Sequence, residues 1–164
     1  MRHVISVLVD NEAGVLSRVA GLFSGRGFNI ESLSVAPTLN PENSKMVITT
    51  RGNNDVIEQI IKQLNKLINV IKVVHYKGKE FVEREMILVK VSAMEDSRAE
   101  ILRIVDIFRA KVVDVSPNSY TLELTGDRDK LEGFIDLLAP MGIVDFVRTG
   151  AVVIEREKKK RRLQ

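Results

Sequence analysis

One order of secondary structure, strand-helix-strand-strand-helix-strand, can be read twice along this chain, and it constrains the fold more than any other feature. In the first half, HVISVLVD is β-branched and apolar, which is typical of a strand. Apolar residues at helical spacing follow it and stop at Gly25 and Gly27. A second helical pattern runs from Asp55 to Ile68. The strands of this half are predicted at 3–10, 28–36, 45–50 and 70–76.

The second half repeats the order with little residue identity. Helices are predicted after Ser97, in a capping box, and after the capping residue Asp127. The four strands of this half are predicted at 86–93, 111–115, 120–125 and 143–148. The chain is therefore expected to be α+β, with two ferredoxin-like (βαββαβ) domains. The expected boundaries are residues 1–77, a linker at 78–84, and a second domain at 85–164 with a basic tail from about 155.

Composition excludes several classes of protein. Cys is absent from the 164 residues, so disulfides, thiolate metal sites and thiol nucleophiles are excluded. The last ten residues hold six Lys or Arg against two Glu, so of the total charge of +3 they carry +4 and residues 1–154 carry −1. The high pI therefore reflects the tail. This tail is interpreted either as a solvated end of the chain or as a contact for an acidic partner. A cytoplasmic protein without a signal peptide or membrane span is expected.

No constellation of catalytic residues emerges from the sequence. Gly25-Arg26-Gly27 begins like a dinucleotide fingerprint, but it ends a helix, whereas a pyrophosphate binds where a helix begins. The two histidines, His3 and His75, lie on predicted strands and are a poor metal set, so no catalytic or metal-binding residue is expected. The two central strands of the first sheet lack aromatics, which argues against RNA binding.

The loop after the first strand is the best candidate for a binding site. With Asn11 as helix cap, Gly14 would occupy the first helical turn, where glycine costs about 1 kcal/mol relative to alanine. Close approach of a ligand would explain it: the first amides of a helix suit a carboxylate, and Val15 and Leu16 add apolar surface. Asn11 and Asn29 offer oxygens to an ammonium group. Together these groups would suit a small aliphatic amino acid, which has a carboxylate, an ammonium group and an apolar side chain. The alternative is a purely structural role, in which Asn11 only caps the helix and Gly14 only allows a tight turn.

Topology places the two asparagines apart. Asn11 ends the first strand and Asn29 begins the second, so they are expected at opposite ends of the sheet. The second strand is expected at an edge, and two copies pairing there antiparallel about a two-fold axis would bring the mate's Asn29 to Asn11. Ligand binding is therefore expected to depend on a homodimer. The sheet face away from the helices is expected to be apolar and covered by a partner or by the second domain, with Val4, Leu8, Leu33, Val35, Val47 and Val73 on it.

The stretch NEAGVLSRVAGLFSGRGFNIESLSVAPT, with VEREMILVKV at 82–91 and IFRAKVVDVSPNSYTLELTG at 107–126, resembles one family over essentially the whole chain. The N-terminal half resembles ACT domains, and the chain resembles the small regulatory subunits of acetohydroxyacid synthase (acetolactate synthase). Where many ACT domains have Asp-x-Pro-Gly, this chain has Asn11-Glu12-Ala13-Gly14. The resemblance assigns the amino-acid effector to Asn11, Ala13, Gly14, Val15 and Leu16, with Asn29 and Ile30 of the mate.

That resemblance implies a non-catalytic subunit of branched-chain amino acid biosynthesis. It implies binding and activation of a large catalytic subunit that holds thiamine diphosphate, Mg²⁺ and FAD, with no cofactor in this chain. It also implies feedback inhibition by valine or another branched-chain amino acid. A free-standing amino-acid sensor acting on transcription or on another enzyme is the alternative. The sequence leaves open the preferred amino acid, the surface that contacts the catalytic subunit, the role of the second domain and its tail, and whether that domain binds a ligand.

Overall fold

A computed structural model describes residues 1–78 and 81–157, and in this range the predicted order of elements appears twice. The first half contains β1 (Arg2–Asp10), α1 (Val15–Ser24), β2 (Ile30–Pro37), β3 (Asn43–Arg51), α2 (Asn54–Leu64) and β4 (Val70–Tyr76). The second half contains β5 (Phe81–Ser92), α3 (Arg98–Phe108), β6 (Lys111–Ser116), β7 (Ser119–Gly126), α4 (Arg128–Leu138), a short 3-10 turn (Ala139–Met141), β8 (Ile143–Arg148) and β9 (Val152–Glu155). The α+β fold with two βαββαβ units is thus confirmed.

The first sheet has the strand order β2-β3-β1-β4, and its described pairs are antiparallel. β1 and β3 are central, and β2 is an edge strand, as the sequence predicts. Alternate residues of the central strands, such as Ile5, Val7 and Ile48, are fully buried beneath the two helices. Val19 and Phe23 of α1 and Ile57, Ile60 and Leu64 of α2 complete this core. Period-2 strands and period-3.6 helices therefore share one apolar layer.

Helix α2 ends four residues before the predicted end at Ile68. Asn65 closes it: its backbone N–H and its side-chain Nδ2 both donate to the carbonyl of Ile61, at 3.0 and 2.9 Å. Shorter-range bonds then replace the helical ladder, because the amide of Leu67 donates to the carbonyl of Leu64 at 3.1 Å. Ile68 is 92% exposed. Its spacing fits the apolar pattern of the helix, but the backbone is no longer helical there and the side chain does not reach the core.

The sheet face away from the helices is covered by β9, from the other end of the chain. Val153 of β9 packs with Val4, Val47 and Tyr76, and all four are buried. The Nε of Arg156 also donates to the carbonyl of Phe81 at 3.1 Å. The apolar face is covered, as expected, but the covering strand belongs to this chain and groups with the first unit.

Three residues predicted on that face lie on the other one. Leu33 and Val73 pack against the helix-side core, and Val35 pairs with the core residue Met46. In β2 the register shifts between Ile30 and Ser32, and such a bulge reverses the alternation of side chains that a simple count assumes. Val73 pairs with Val7, whose side chain points into the core.

The chain divides into two compact units, one of Met1–Val82 with the described residues from Ala151 onward, the other of Glu83–Gly150. This differs from the expected second domain at 85–164, since Ala151 and the strand after it group with the first unit. The expected linker 78–84 is also shorter, because β5 already begins at Phe81, while positions 79 and 80 lie outside the described residues. Most of the predicted basic tail lies outside them too.

The second unit has its own sheet and core. Its strands have the order β6-β7-β5-β8. Helices α3 and α4 bury Ile101, Ile104, Leu131 and Phe134 against this sheet. Asp127 caps α4 as predicted, accepting from the backbone N–H of Lys130 at 3.0 Å. Ser97 stands at the N-cap of α3, but its hydroxyl donates to the carbonyl of Met94 at 3.0 Å and does not cap the helix.

Candidate functional site

Gly14 is the N-cap of α1 and has a left-handed backbone, with φ 86° and ψ −10°. The helix begins at Val15, and the backbone N–H of Arg18 donates to the carbonyl of Gly14 at 3.0 Å. The prediction that Asn11 caps the helix is therefore wrong. Asn11 instead donates from Nδ2 to the carbonyl of Pro41 at 2.9 Å, and its backbone N–H donates to the carbonyl of Glu42 at 2.7 Å.

The glycine at position 14 is explained by its backbone conformation. A left-handed backbone costs a residue with a Cβ about 1–2 kcal/mol. Crowding within the chain is not the reason, because a Cβ built on Gly14 would meet no heavy atom within 4 Å. Asn11, Glu12, Ala13 and Gly14 are all exposed, so the start of α1 is open to an approaching group.

The two apolar residues after Gly14 have different environments. The side chain of Val15 is 3% exposed and belongs to the core, so the predicted apolar contribution of Val15 to a site is not available on the surface. Leu16 is 41% exposed and presents apolar surface beside the loop. The N–H groups in the first turn of a helix lack partners in the preceding turn, and here they lie next to the exposed loop. The backbone N–H of Val15 makes only a long bond, 3.4 Å, to the carbonyl of Glu12.

Asn29 and Ile30 lie at the other end of the sheet, as the sequence predicts. Ile30 pairs with Thr50, whose hydroxyl donates to the carbonyl of Asn29 at 2.7 Å. Thr50 in turn pairs with His3 at the start of β1, whereas Asn11 follows the end of β1. One protomer therefore does not bring the two asparagines together.

Sequence reasoning missed a polar network that holds the loop after β1. Asn69, which is 9% exposed, donates from Nδ2 to Asp10 Oδ2 and to Glu12 Oε2, both at 3.3 Å. Arg18 of α1 donates from its guanidinium to Asn69 Oδ1. The network joins the end of β1, the loop, α1 and the segment before β4. Asn69 precedes a strand in a short turn, and no local pattern marks it as a partner of residues about 50 to 60 positions away.

The two histidines, predicted as ordinary strand residues, lie side by side. His3 Nδ1 is 3.1 Å from His75 Nε2, and His3 Nε2 is 3.1 Å from the carbonyl oxygen of Gly52. Because that oxygen can only accept, His3 carries its proton on Nε2, and neutral His75 donates to His3 Nδ1. Burial lowers the pKa of His75, and the neighbouring imidazole of His3, whenever it is protonated, and the positive charge of Lys77 lower it further. Within residues 1–78 and 81–157, no group of three or more His, Cys, Asp or Glu side chains is placed to hold a metal ion.

Comparison with known proteins gives a consistent result over both units. A family model described as the small-subunit-like ACT domain of AHAS matches residues 5–72, and one described as the small subunit of acetolactate synthase matches residues 84–157. The chain is 51% identical to a probable acetolactate synthase small subunit of Archaeoglobus fulgidus, covering 98% of this chain and 100% of that protein. It is 50% identical to the acetolactate synthase small subunit of Haemophilus influenzae, covering 97% and 98%.

A solved structure is similar as well. The crystal structure of an acetolactate synthase small subunit from Thermotoga maritima superimposes with a TM-score of 0.88 at 42% identity, covering 96% of this chain and 99% of that one. Among the described helices, none is both long and apolar enough to cross a membrane.

Proposed function

The chain belongs to the family of acetolactate synthase small subunits, the regulatory subunits of acetohydroxyacid synthase, and on that premise we propose that it senses a branched-chain amino acid for a catalytic partner. Valine is the effector that we propose first. Bound to this chain, it inhibits the large subunit, which this chain otherwise binds and activates. Thiamine diphosphate, Mg²⁺ and FAD belong to the large subunit in this proposal, and this chain has no catalytic role of its own.

The observation that carries the proposal is the position of the exposed loop relative to the edge strand. Gly14 opens α1 with its first amides next to solvent, and these amides suit the carboxylate of an amino acid. Leu16 supplies exposed apolar surface for an aliphatic side chain. Within one protomer, Asn29 and Ile30 are at the far end of the sheet.

Two copies would complete the site. Strand β2 is at the edge of its sheet, and an edge strand presents unpaired backbone groups to a second strand. Antiparallel pairing of β2 with its mate about a two-fold axis would move the mate's Asn29 to the Pro37 end of this strand. That end adjoins Asn43 and Asp10, next to the loop of Asn11 and Gly14. Each dimer would then hold two equivalent sites, each built from both copies.

Mixed dimers test the shared site. The Gly14→Asp and Asn29→Ala homodimers should each lose valine binding, because every site carries one defect. A mixed dimer with one copy of each variant should regain one intact site, since one loop and the opposite Asn29 are both unaltered. Calorimetric titration of the purified mixed dimer should then give one valine per dimer, half the wild-type number. A mixed dimer that binds no valine would place the whole site within one protomer.

Reconstitution tests the regulatory role. The large subunit of the same organism should have low activity alone and higher activity with this chain, and valine should inhibit only the complex. Coupling of about 1–3 kcal/mol would change activity or affinity by about 5- to 150-fold. A complex whose activity does not respond to valine, leucine or isoleucine would contradict the proposal.

A further inference from the structure

Asn69 connects four parts of the first unit through one buried side chain. Its Nδ2 reaches Asp10 at the end of β1 and Glu12 in the loop, at 3.3 Å each, and Arg18 of α1 donates to its Oδ1. Its backbone carbonyl also accepts from the N–H of Asp10 at 2.9 Å. The backbone bond sets where the chain before β4 meets β1, and the side chain sets the course of the loop after β1.

The chemistry of this position requires an amide. Two acceptors of the same charge face the Nδ2 group, which has two hydrogens, and one cation faces Oδ1. An aspartate would have no donor and would add a third negative charge beside Asp10 and Glu12. A leucine has the same branched arrangement of heavy atoms but can neither donate nor accept a hydrogen bond, so Asp10, Glu12 and Arg18 would lose their shared partner.

We propose that Asn69 is a positioning residue for the effector loop, holding residues 11–14 in the shape that receives the amino acid. This inference rests on the proposed function, but it concerns a residue outside the predicted site. Asn69 acts through Asp10 and Arg18, which lie on either side of the loop, and through Glu12 within it.

The bracketing explains how a distant side chain affects binding. Without the amide, Asp10 and Glu12 repel each other with no donor between them, and α1 loses its link through Arg18 to the segment before β4. The loop then samples shapes in which Gly14 and the first amides of α1 are misplaced. A ligand that binds only one of these shapes has its affinity reduced by the fraction of time the loop spends in it.

The test compares Asn69→Leu and Asn69→Asp with the control Asn65→Ala in the full-length dimer. Asn65 is also an asparagine of the first unit with a side-chain hydrogen bond, from Nδ2 to the carbonyl of Ile61 at 2.9 Å. It closes α2, however, and has no bond to the loop. The control thus removes an amide and reduces stability without touching Asp10, Glu12 or Arg18.

Two readouts separate positioning from general stability. Without effector, hydrogen exchange should become about ten-fold faster or more in both Asn69 variants at the hydrogen-bonded amides on either side of the loop, those of Asn11 and Arg18. This is the factor expected for one lost bond to a charged group. Exchange there should be unchanged in Asn65→Ala. The Kd of valine, measured by calorimetry well below the unfolding temperature, should rise about ten-fold or more in the Asn69 variants and stay at the wild-type value in the control.

The outcomes distinguish this inference from the proposed function. If the wild-type protein binds valine and both Asn69 variants bind it equally well, the inference is wrong and the proposed function stands. Equal exchange rates at the amides of Asn11 and Arg18 in the wild type and the variants would also overturn it. If the wild type binds no branched-chain amino acid, the proposed function fails, and the exchange measurement alone decides whether Asn69 holds the loop.

Discussion

Replacing Gly14 by aspartate or asparagine separates the shape of the effector loop from its charge. Both side chains have the same size, and both residues are among the few that tolerate the left-handed backbone. Neither Cβ would meet a heavy atom of the chain within 4 Å, so both variants should fold. The backbone cost is at most about 1–2 kcal/mol and should be similar in the two proteins.

The difference between the two variants then measures the charge of the ligand next to position 14. Two unit charges 4 Å apart interact by about 1 kcal/mol in bulk water and by about 4 kcal/mol at an effective dielectric constant of 20. Because Gly14 is exposed, the lower figure applies to a bound ligand that stays hydrated next to position 14, and the upper figure applies to a bound ligand that has displaced the water there. The aspartate variant should therefore bind valine about five-fold to several hundred-fold more weakly than the asparagine variant.

Calorimetric titration of both variants with valine gives this ratio, and thermal unfolding without valine provides the control. We expect similar unfolding temperatures, and we expect the aspartate variant to activate the large subunit normally while no longer responding to valine at concentrations that inhibit the wild-type complex. The ratio should shrink as salt is added, because exposed charges are screened. Equal affinities in the two variants would show that no carboxylate lies near Gly14, and inhibition of the aspartate variant at the same valine concentrations as the wild type would refute the assigned site.

Three further predictions concern the first unit. Replacing Asn53, whose Oδ1 accepts from the N–H of Val56 at 2.9 Å, by alanine should lower the free energy of unfolding by about 1 kcal/mol, measured by urea titration. Val153→Ala removes two buried methyl groups and should lower the free energy of unfolding by about 1.5 kcal/mol. Val152→Ala, on the exposed side of the same strand, should lower it little, and equal losses in the two variants would mean that β9 does not cover the sheet. Burial and neighbouring positive charge lower the pKa of His75 below its ordinary value of 6.5, so His75 takes up a proton more readily in the unfolded protein than in the folded one. The free energy of unfolding should therefore decrease as the pH drops below 6.5. A pH profile that is the same in His75→Gln would contradict this.

Much of the fold could be predicted because strong local signals agree with one another. The strands alternate or are continuously apolar, and Asp127 caps α4 where its side chain and the apolar pattern after it indicate. The predicted end of α2 was wrong because the apolar pattern extended beyond the residues with a helical backbone. Ile68 continued a helical pattern in apolarity alone, but the chain had already left the helix after Asn65.

The sequence could single out residues for a candidate site, but it did not determine their geometry. Gly14 could be singled out because glycine at a helix start needs an explanation, but its φ of 86° decides that the explanation is conformational. Asn11 is a good cap by type, yet its side chain bonds to the carbonyl of Pro41, 30 residues away. Local preference does not determine which of several partners a polar side chain finds.

The amino-acid sequence by itself determined the elements, their order in two units, the edge position of β2 and the opposite placement of Asn11 and Asn29. These follow from the periodicity of side chains and from how far a strand or a helix extends, both of which are local properties. Only the tertiary structure decided that β9 returns to cover the first sheet and that Asn69 holds the loop after β1. Both depend on contacts between residues that are far apart in the chain, and such contacts are selected by the packing of the whole unit.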